Sequence, residues 1–205
     1  EKEKSNLPYP LNKILNITNF NKVQETLFDE LYNKKCESKP KNFVICSPTG
    51  SGKTVIFEIA MIEFLKRYGF FNNKEFSINN VIDTCTLSTS LKIKSLKIVY
   101  IAPIKSLCSE KVKDWNERFG QFNIKILELT GDTEYINAEK IKESNIIITT
   151  PERWDTITRR WKDYPTILYN IGLLIVDEIH ILNCENRGVK LETVISRMKF
   201  VSQFE

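Results

Sequence analysis

A small-residue loop followed by Lys53-Thr54 has the clearest chemistry in this sequence. The loop ends in a Gly-Ser-Gly stretch at 50–52, and apolar residues flank it on both sides. Glycines let backbone N–H groups turn inward around phosphate oxygens, and a helix that starts near Lys53 directs its positive end at the same place. The Lys53 ammonium suits the β- and γ-phosphates, and the Thr54 hydroxyl suits Mg²⁺. These residues therefore predict a loop that binds a nucleotide.

The loop departs from the usual consensus at one position. That consensus is G-x-x-x-x-G-K-[ST], and Ser47 stands where it has the first glycine. An ordinary glycine-rich turn is the alternative interpretation, but it leaves the Lys-Thr pair unexplained. The loop alone does not distinguish a kinase, an ATPase and a GTPase.

Two neighbouring acids, Asp177 and Glu178, follow the apolar run Leu173–Val176. Ligands of open α/β sheets bind beyond the carboxyl ends of the strands, which is where this pair is expected. Asp177 is suited to holding Mg²⁺ through water, and Glu178 to orienting and polarising an attacking water. A surface turn also accommodates two adjacent acids, but the Lys-Thr pair in the same chain favours a catalytic role.

Short apolar runs alternate with helical patterns along the chain. The runs, which are typical of parallel strands buried on both faces, are Phe43–Cys46, Ile98–Ala102, Ile124–Leu129, Ile146–Thr149 and Leu173–Val176. The helical patterns are Thr54–Tyr68, Lys105–Phe119, Asn137–Glu143, Pro151–Trp161 and Gly188–Val201. This alternation predicts an α/β domain with a doubly wound, mostly parallel sheet. Residues 69–95 are too long for an ordinary connection, so we expect a surface insertion or mobile loop there rather than a partner-binding arm.

Composition and charge exclude several classes of protein. With 205 residues and 41% hydrophobic content, the chain suits one folded domain. It has no apolar run long enough for a membrane span. The five cysteines form no C-x-x-C pair and His180 is the only histidine, so we expect reduced intracellular thiols and no zinc site. The net charge of +4 permits a polyanionic partner without requiring one.

The sequence Asp-Glu-Ile-His at 177–180 makes the chain resemble a superfamily 2 nucleic-acid helicase of the DExH type. The stretch NFNKVQ at 19–24 resembles the adenine-recognising Gln motif of that family. Three further stretches resemble the motifs with which the family contacts a nucleic-acid strand: APIKSL at 102–107, LTGD at 129–132 and TTPERW at 149–154. Ser47 agrees with the resemblance, because this superfamily commonly has a small residue other than glycine there. The stretches around 149–161 and 177–199 resemble the Ski-like branch, with meiotic crossover-promoting DNA helicases first and spliceosomal RNA helicases second.

The resemblance implies roles for the residues that match it, with ATP and Mg²⁺ as cofactors. Nucleotide contacts fall on Phe20, Gln24, Thr49, Gly50, Ser51, Gly52, Lys53, Thr54 and Val55. Magnesium ligands are Thr54 and Asp177, catalytic roles fall on Lys53, Asp177 and Glu178, and His180 couples the nucleotide state to strand binding. Phosphates of one nucleic-acid strand are contacted by Pro103, Lys105, Thr130, Gly131, Thr150 and Pro151.

Several of these residues also fit structural roles. Pro and Thr in the strand-contacting motifs suit helix starts, and both roles are compatible. Arg153, Arg159 and Arg160 fit either a basic helix face towards nucleic acid or a solvated face, and His180 fits a surface histidine. The tryptophans are expected to pack in the core rather than stack on bases.

The resemblance also sets expectations for the whole protein. Residues 1–17 are expected to be a lead-in, and 18–205 the first RecA-like, three-layer αβα motor domain of a longer chain, cut before a second such domain. The isolated lobe is expected to be nearly inactive, because the second domain of these motors supplies transition-state arginines. Three functions stay open: a lobe of a nuclear 3′-to-5′ DNA helicase, a lobe of an RNA helicase in spliceosome remodelling, and a nucleotide-binding scaffold without motor activity.

Overall fold

The computed structural model describes residues 3–32, 42–48, 50–71, 96–131, 138–160 and 165–201. Its contacts divide the chain into two compact units, Glu1–Asn79 and Asn80–Glu205. Thr49, Trp161 and residues 72–95, which make up most of the predicted insertion, lie outside the described residues. In the described ranges, no helix is long and apolar enough to cross a membrane.

In the described residues of the first unit, the regular elements are helices. They are a short 3₁₀ helix, Lys4–Asn6, and the α-helices α1 (Leu11–Ile14), α2 (Lys22–Leu31) and α3 (Lys53–Arg67). Helix α2 begins at a capping box, in which the side chains of Asn21 and Gln24 each accept a hydrogen bond from the backbone N–H of the other residue at 3.0 Å. The box gives partners to two N–H groups that the helix leaves unsatisfied, and so fixes where α2 starts.

Helices α2 and α3 pack against each other through aromatic and aliphatic side chains. The rings of Phe20, Phe28 and Tyr32 follow one another with centroids 5.3 and 5.2 Å apart. The Lys66 ammonium of α3 lies 4.3 Å from the centroid of the Tyr32 ring and donates to its hydroxyl at 3.0 Å. The Lys66–Tyr32 contact joins the ends of the two helices.

The segment before α2 contributes to the core of the first unit, although the sequence predicts only a lead-in there. The side chains of Leu11, Ile14 and Leu15 are fully buried, and Glu3 forms an isolated antiparallel bridge with Asn19. These three apolar residues recur at helical spacing, but the charged residues at the start of the chain drew the prediction of a lead-in.

The predicted strand Phe43–Cys46 is wrong. Residues 42–48 belong to no helix or strand, and Phe43 and Val44 are 44% and 78% exposed. A strand exists through hydrogen bonds to a neighbouring strand, and an apolar run predicts burial without supplying that pairing.

A four-stranded sheet organises the second unit. Its strands are β1 (Lys97–Ile101), β2 (Ile126–Leu129), β3 (Ile146–Thr149) and β4 (Ile171–Val176), in the order β2-β3-β1-β4. The helices among its described residues are α4 (Lys105–Phe119), α5 (Ala138–Glu143), α6 (Pro151–Arg159), α7 (Pro165–Leu168) and α8 (Glu185–Val201), with 3₁₀ helices at Gly120–Phe122 and Ile179–Asn183. All three strand pairs described are parallel, because helices connect the strands.

The predicted α/β fold with a parallel sheet is confirmed. The inner strands β1 and β3 are buried at every position, as expected for strands covered on both faces. Tyr100 of β1 packs edge-on against Trp115 of α4 with centroids 5.0 Å apart, whereas its neighbour Val99 joins Trp154 in a core cluster on the opposite face. Both of these tryptophans are fully buried, which confirms the core role predicted for them.

Candidate functional site

The phosphate loop, residues 47–54, is folded around its own lysine. Gly50 and Gly52 have φ angles of +78° and +76°, in the left-handed region that favours glycine. The Lys53 ammonium donates to the carbonyl oxygens of Ser47 at 2.9 Å and Pro48 at 3.1 Å. Two backbone carbonyls of the loop therefore hold its one positive charge.

Helix α3 starts at Lys53, directly after Gly52. None of the described side chains caps this helix, and Thr54 and Val55 lie in its first turn. The N-terminus of a helix presents N–H groups and a partial positive charge, both of which attract anions. The start of α3 and the Lys53 ammonium together fit a phosphate group.

Gln24 touches the phosphate loop directly. Its side-chain N–H donates to the Gly52 carbonyl at 3.2 Å, and the Asn21 side chain donates to the Ser51 carbonyl at 2.8 Å. Gln24 is only 4% exposed, and Phe20 lies in the core of the unit at 1%. The structure therefore places the predicted Gln motif against the predicted phosphate loop. The role of Asn21 was missed, although its N-x-x-Q spacing to Gln24 is a capping-box signal.

Gly52→Ala is expected to lower the free energy of unfolding by about 1 kcal/mol more than Gly50→Ala. Both substitutions place a side chain in the left-handed region, but a Cβ at Gly52 would lie 2.3 Å from the Gln24 amide nitrogen. A Cβ at Gly50 meets no described atom within 4 Å, which makes Gly50→Ala the matched control. Denaturant unfolding of both variants tests the expectation, and equal losses of stability would contradict it.

The two predicted acids stand at the carboxyl end of β4, beside β1. The Asp177 N–H extends the sheet by donating to the Ile101 carbonyl at 2.9 Å. One carboxylate oxygen of Asp177 accepts from the Tyr100 hydroxyl at 2.6 Å, and the other accepts from the Glu178 N–H at 2.9 Å. These bonds orient the Asp177 carboxylate from both sides.

Glu178 adopts a left-handed backbone conformation, with φ +50° and ψ +51°. This conformation is uncommon for a residue other than glycine. Its side chain is about one-third exposed and lies 3.1 Å from Nδ1 of His180, which is 73% exposed. The predicted coupling histidine therefore contacts the second predicted acid.

Tyr100 is a residue of this site that sequence reasoning missed. Burial, together with the charge and the hydrogen bond of Asp177, raises the pKa of Tyr100 far above its ordinary value. The hydroxyl therefore stays protonated and remains a donor to Asp177. In the sequence, Tyr100 is one more apolar position of a strand, and only its register opposite Ile175 of β4 brings it near the acids.

A basic cavity of about 750 Å³ opens in the second unit. Six cationic side chains and two acidic ones line it: Lys105, Arg153, Arg159, Arg160, Arg187 and Lys190, with Glu152 and Asp155. Three of the residues predicted to contact a strand also line it, namely Lys105, Gly131 and Thr150. The three motifs that follow β1, β2 and β3 thus meet at one surface.

The other three predicted strand contacts lie next to the basic cavity rather than among its lining residues. The Pro103 carbonyl accepts a hydrogen bond from Arg187, and the Thr130 hydroxyl donates to Glu128 at 2.7 Å. Pro151 is the buried first residue of α6, behind the Thr150 side chain, which accepts from the Arg153 N–H at 3.4 Å. Thr150 and Pro151 therefore have the helix-start role that the sequence left open beside strand contact, whereas Pro103 lies before the N-cap of α4.

The arginines of α6 differ in their surroundings. Arg153 is 9% exposed, whereas Arg160 is exposed at the end of the helix. Arg159 pairs with Asp155 at 2.8 Å, and Arg197 of α8 pairs with the other oxygen of the same carboxylate at 2.6 Å. Burial alone would raise the pKa of Asp155, but the hydrogen bonds and charges of these two arginines outweigh it and hold the pKa below its usual value. Asp155 thus ties α6 to α8 as a carboxylate.

Comparison with known proteins gives relatives that include named helicases. The mouse (Mus musculus) protein named "Probable ATP-dependent DNA helicase HFM1" is 42% identical over 182 residues, which cover 89% of this chain and 11% of the relative. "ATP-dependent DNA helicase MER3" of Saccharomyces cerevisiae is 39% identical over 197 residues, covering 96% of this chain and 14% of the relative. "RQC trigger complex helicase SLH1" of the same yeast is 33% identical over 201 residues, covering 94% and 10%.

The chain therefore spans a small part of the relatives it matches. A solved structure of the DUF1998 helicase MrfA bound to DNA and AMPPNP has the same fold, with a TM-score of 0.63 and 20% identity over 92% of this chain and 23% of that chain. Residues 21–204 match the family model described as DEAD/DEAH box helicase. With its phosphate loop, its paired acids and its parallel sheet, this chain belongs to the DEAD/DEAH box helicase family.

Proposed function

We propose that this chain is the first motor domain of an ATP-dependent DNA helicase. The observation that supports an adenine nucleotide most directly is the contact between Gln24 and Gly52, which joins the Gln motif to the phosphate loop. The Gln24 amide oxygen accepts from the Asn21 N–H and its nitrogen donates to the Gly52 carbonyl, so its second lone pair and second N–H would pair with the N6 and N7 edge of adenine. Lys53, Thr54, Val55 and the turn 49–52 would hold the phosphates.

The acids of β4 supply the second part of the proposed chemistry. Thr54 and Asp177 are the oxygen ligands that would hold Mg²⁺, which neutralises phosphate charge when it is bound. Glu178 would orient and polarise the attacking water as a general base. Its contact with His180 gives the nucleotide state a route to neighbouring groups, which supports the coupling role of that histidine.

The basic cavity supports strand binding. Its excess of cations suits a chain of phosphates, and Lys105, the Gly131 backbone and the Thr150 segment offer contacts that do not read sequence. The mouse HFM1 and yeast MER3 relatives carry the name ATP-dependent DNA helicase, as a probable one in the case of HFM1, which favours DNA over RNA. The proposal also includes a second RecA-like domain in the same longer chain, 3′-to-5′ polarity and a meiotic role in the nucleus.

Strand separation by the full-length protein tests the proposed substrate. Matched DNA and RNA duplexes with a 3′ or a 5′ single-stranded tail should be incubated with ATP and Mg²⁺. We expect unwinding of the DNA duplex with the 3′ tail. Preferred unwinding of RNA would instead support an RNA helicase, and ATP binding without any unwinding would support a scaffold.

Tyr100→Phe is expected to weaken the apparent Mg²⁺ affinity of nucleotide binding by about tenfold. The substitution keeps the ring that packs on Trp115 and removes the hydroxyl that orients the Asp177 carboxylate. Nucleotide binding should be titrated over a range of Mg²⁺ concentrations. Tyr32→Phe is the control, since its hydroxyl bonds Lys66 rather than an acid of this site. An unchanged Mg²⁺ dependence in Tyr100→Phe would contradict the expectation.

A further inference from the structure

We propose that Arg187 is the positioning residue that holds the strand-contacting motifs after β1 and β3 at a fixed spacing and ties both to the acids of β4. The inference rests on the proposed function and deepens it. Arg187 lies in the first turn of α8, whereas the two motifs lie at the starts of α4 and α6.

The Arg187 guanidinium bridges the two motifs. Its Nε donates to the Glu152 carboxylate at 3.0 Å, and one of its terminal nitrogens donates to the Pro103 carbonyl. Pro103 lies two residues before Lys105, and Glu152 lies two residues after Thr150. Since Lys105 and Thr150 both line the basic cavity, the bridge sets the distance between two predicted phosphate contacts.

An arginine suits this bridge better than a lysine does. The planar guanidinium directs several N–H groups along fixed, separate directions, whereas an ammonium is a single point charge on a flexible stem. Burial tends to raise the pKa of Glu152, but hydrogen bonds from its own backbone N–H and from Arg187, with the charge of Arg187, hold the pKa below its ordinary value. Glu152 is therefore a carboxylate and a strong acceptor at neutral pH.

The same bridge is attached closely to the acid pair. The 3₁₀ helix Ile179–Asn183 follows Glu178 directly, and α8 begins two residues after that helix ends. A Cβ at Gly188 would lie 2.2 Å from the Leu182 carbonyl oxygen, so only glycine lets the first turn of α8 approach the 3₁₀ helix this closely. A shift of the acid segment is thereby passed to Arg187 and, through it, to both strand-contacting motifs.

Glu152→Ala in the full-length protein separates this proposal from simple electrostatics. Removing an acid from a basic cavity strengthens binding of a phosphate chain if the acid only repels it. If Glu152 anchors Arg187, its loss should weaken binding of a single-stranded DNA oligonucleotide by about tenfold. Glu185→Ala is the control, since Glu185 is an exposed acid in the same turn of α8, and it should bind as tightly as the wild type or more tightly.

The salt dependence of binding gives the second readout. A residue that contacts a phosphate itself contributes about 0.7 to the slope of log K against log salt concentration for a single strand. Lys105→Ala should lower the slope by that amount. Arg187→Met should weaken binding about tenfold and leave the slope unchanged. The double variant Arg187→Met/Glu152→Ala should bind no more weakly than Arg187→Met alone. Arg187→Lys keeps the charge and should recover only part of the affinity, which keeps the test decisive if Arg187→Met does not fold.

The outcomes separate the two levels of the proposal. Tighter binding by Glu152→Ala, a slope lowered by Arg187→Met, or a fall in melting temperature with unchanged DNA affinity would each overturn the role of Arg187. A wild-type protein that binds no nucleic acid would overturn the proposed function itself.

Discussion

Glu178→Gln in the full-length protein is expected to lower the rate of ATP hydrolysis by a factor of about 10² to 10⁴ while nucleotide binding is retained. The substitution keeps the size of the side chain and removes the negative charge that we propose polarises the attacking water. Steady-state hydrolysis with DNA present, measured beside the equilibrium binding of a fluorescent ATP analogue, separates the two effects.

The matched control for this variant is Glu192→Gln, which changes an exposed acid on α8. It should hydrolyse ATP at the wild-type rate. If Glu178→Gln also hydrolyses ATP at that rate, the catalytic role of Glu178 is wrong, and a nucleotide-binding scaffold without motor activity becomes the better interpretation.

Lys53→Ala is expected to weaken ATP binding by about 10- to 100-fold, because charge-assisted hydrogen bonds are worth about 1.5–3 kcal/mol. The ammonium is held 2.9 Å from the Ser47 carbonyl at the centre of the phosphate loop. Isothermal titration with ATP and Mg²⁺ measures the loss, and thermal unfolding shows whether the variant is folded.

Lys66→Ala is the control for this variant. Lys66 lies at the opposite end of the same helix, and its ammonium contacts Tyr32. Its replacement should lower stability and leave ATP affinity near the wild-type value. Similar losses of ATP affinity in both variants would show that Lys53 acts through the fold of the unit rather than through phosphate.

The parallel sheet could be predicted from the sequence because its strands carry their signal locally. A strand buried on both faces is apolar at nearly every position, and β3 begins and ends at the predicted residues. The run Phe43–Cys46 has the same composition but is not a strand, because pairing depends on a neighbour that the run does not encode. Composition predicts the tendency to be buried, and topology decides whether a ladder forms.

The residues of the candidate site also differ in whether their signal is local in the sequence. Lys53, Thr54, Asp177 and Glu178 could be named from the sequence, because each belongs to a short motif with its own chemistry. Tyr100 and Arg187 could not, since their contacts join residues 77 and 84 positions apart. No short motif contains such a pair, and only strand register and helix packing bring its members together.

The left-handed backbone of Glu178 has an evolutionary consequence. Non-glycine residues in this region are strained by about 1–2 kcal/mol, so selection for thermal robustness alone would favour glycine or asparagine here. The carboxylate proposed to act in catalysis therefore stands where it costs conformational stability, which would be a trade between durability and turnover.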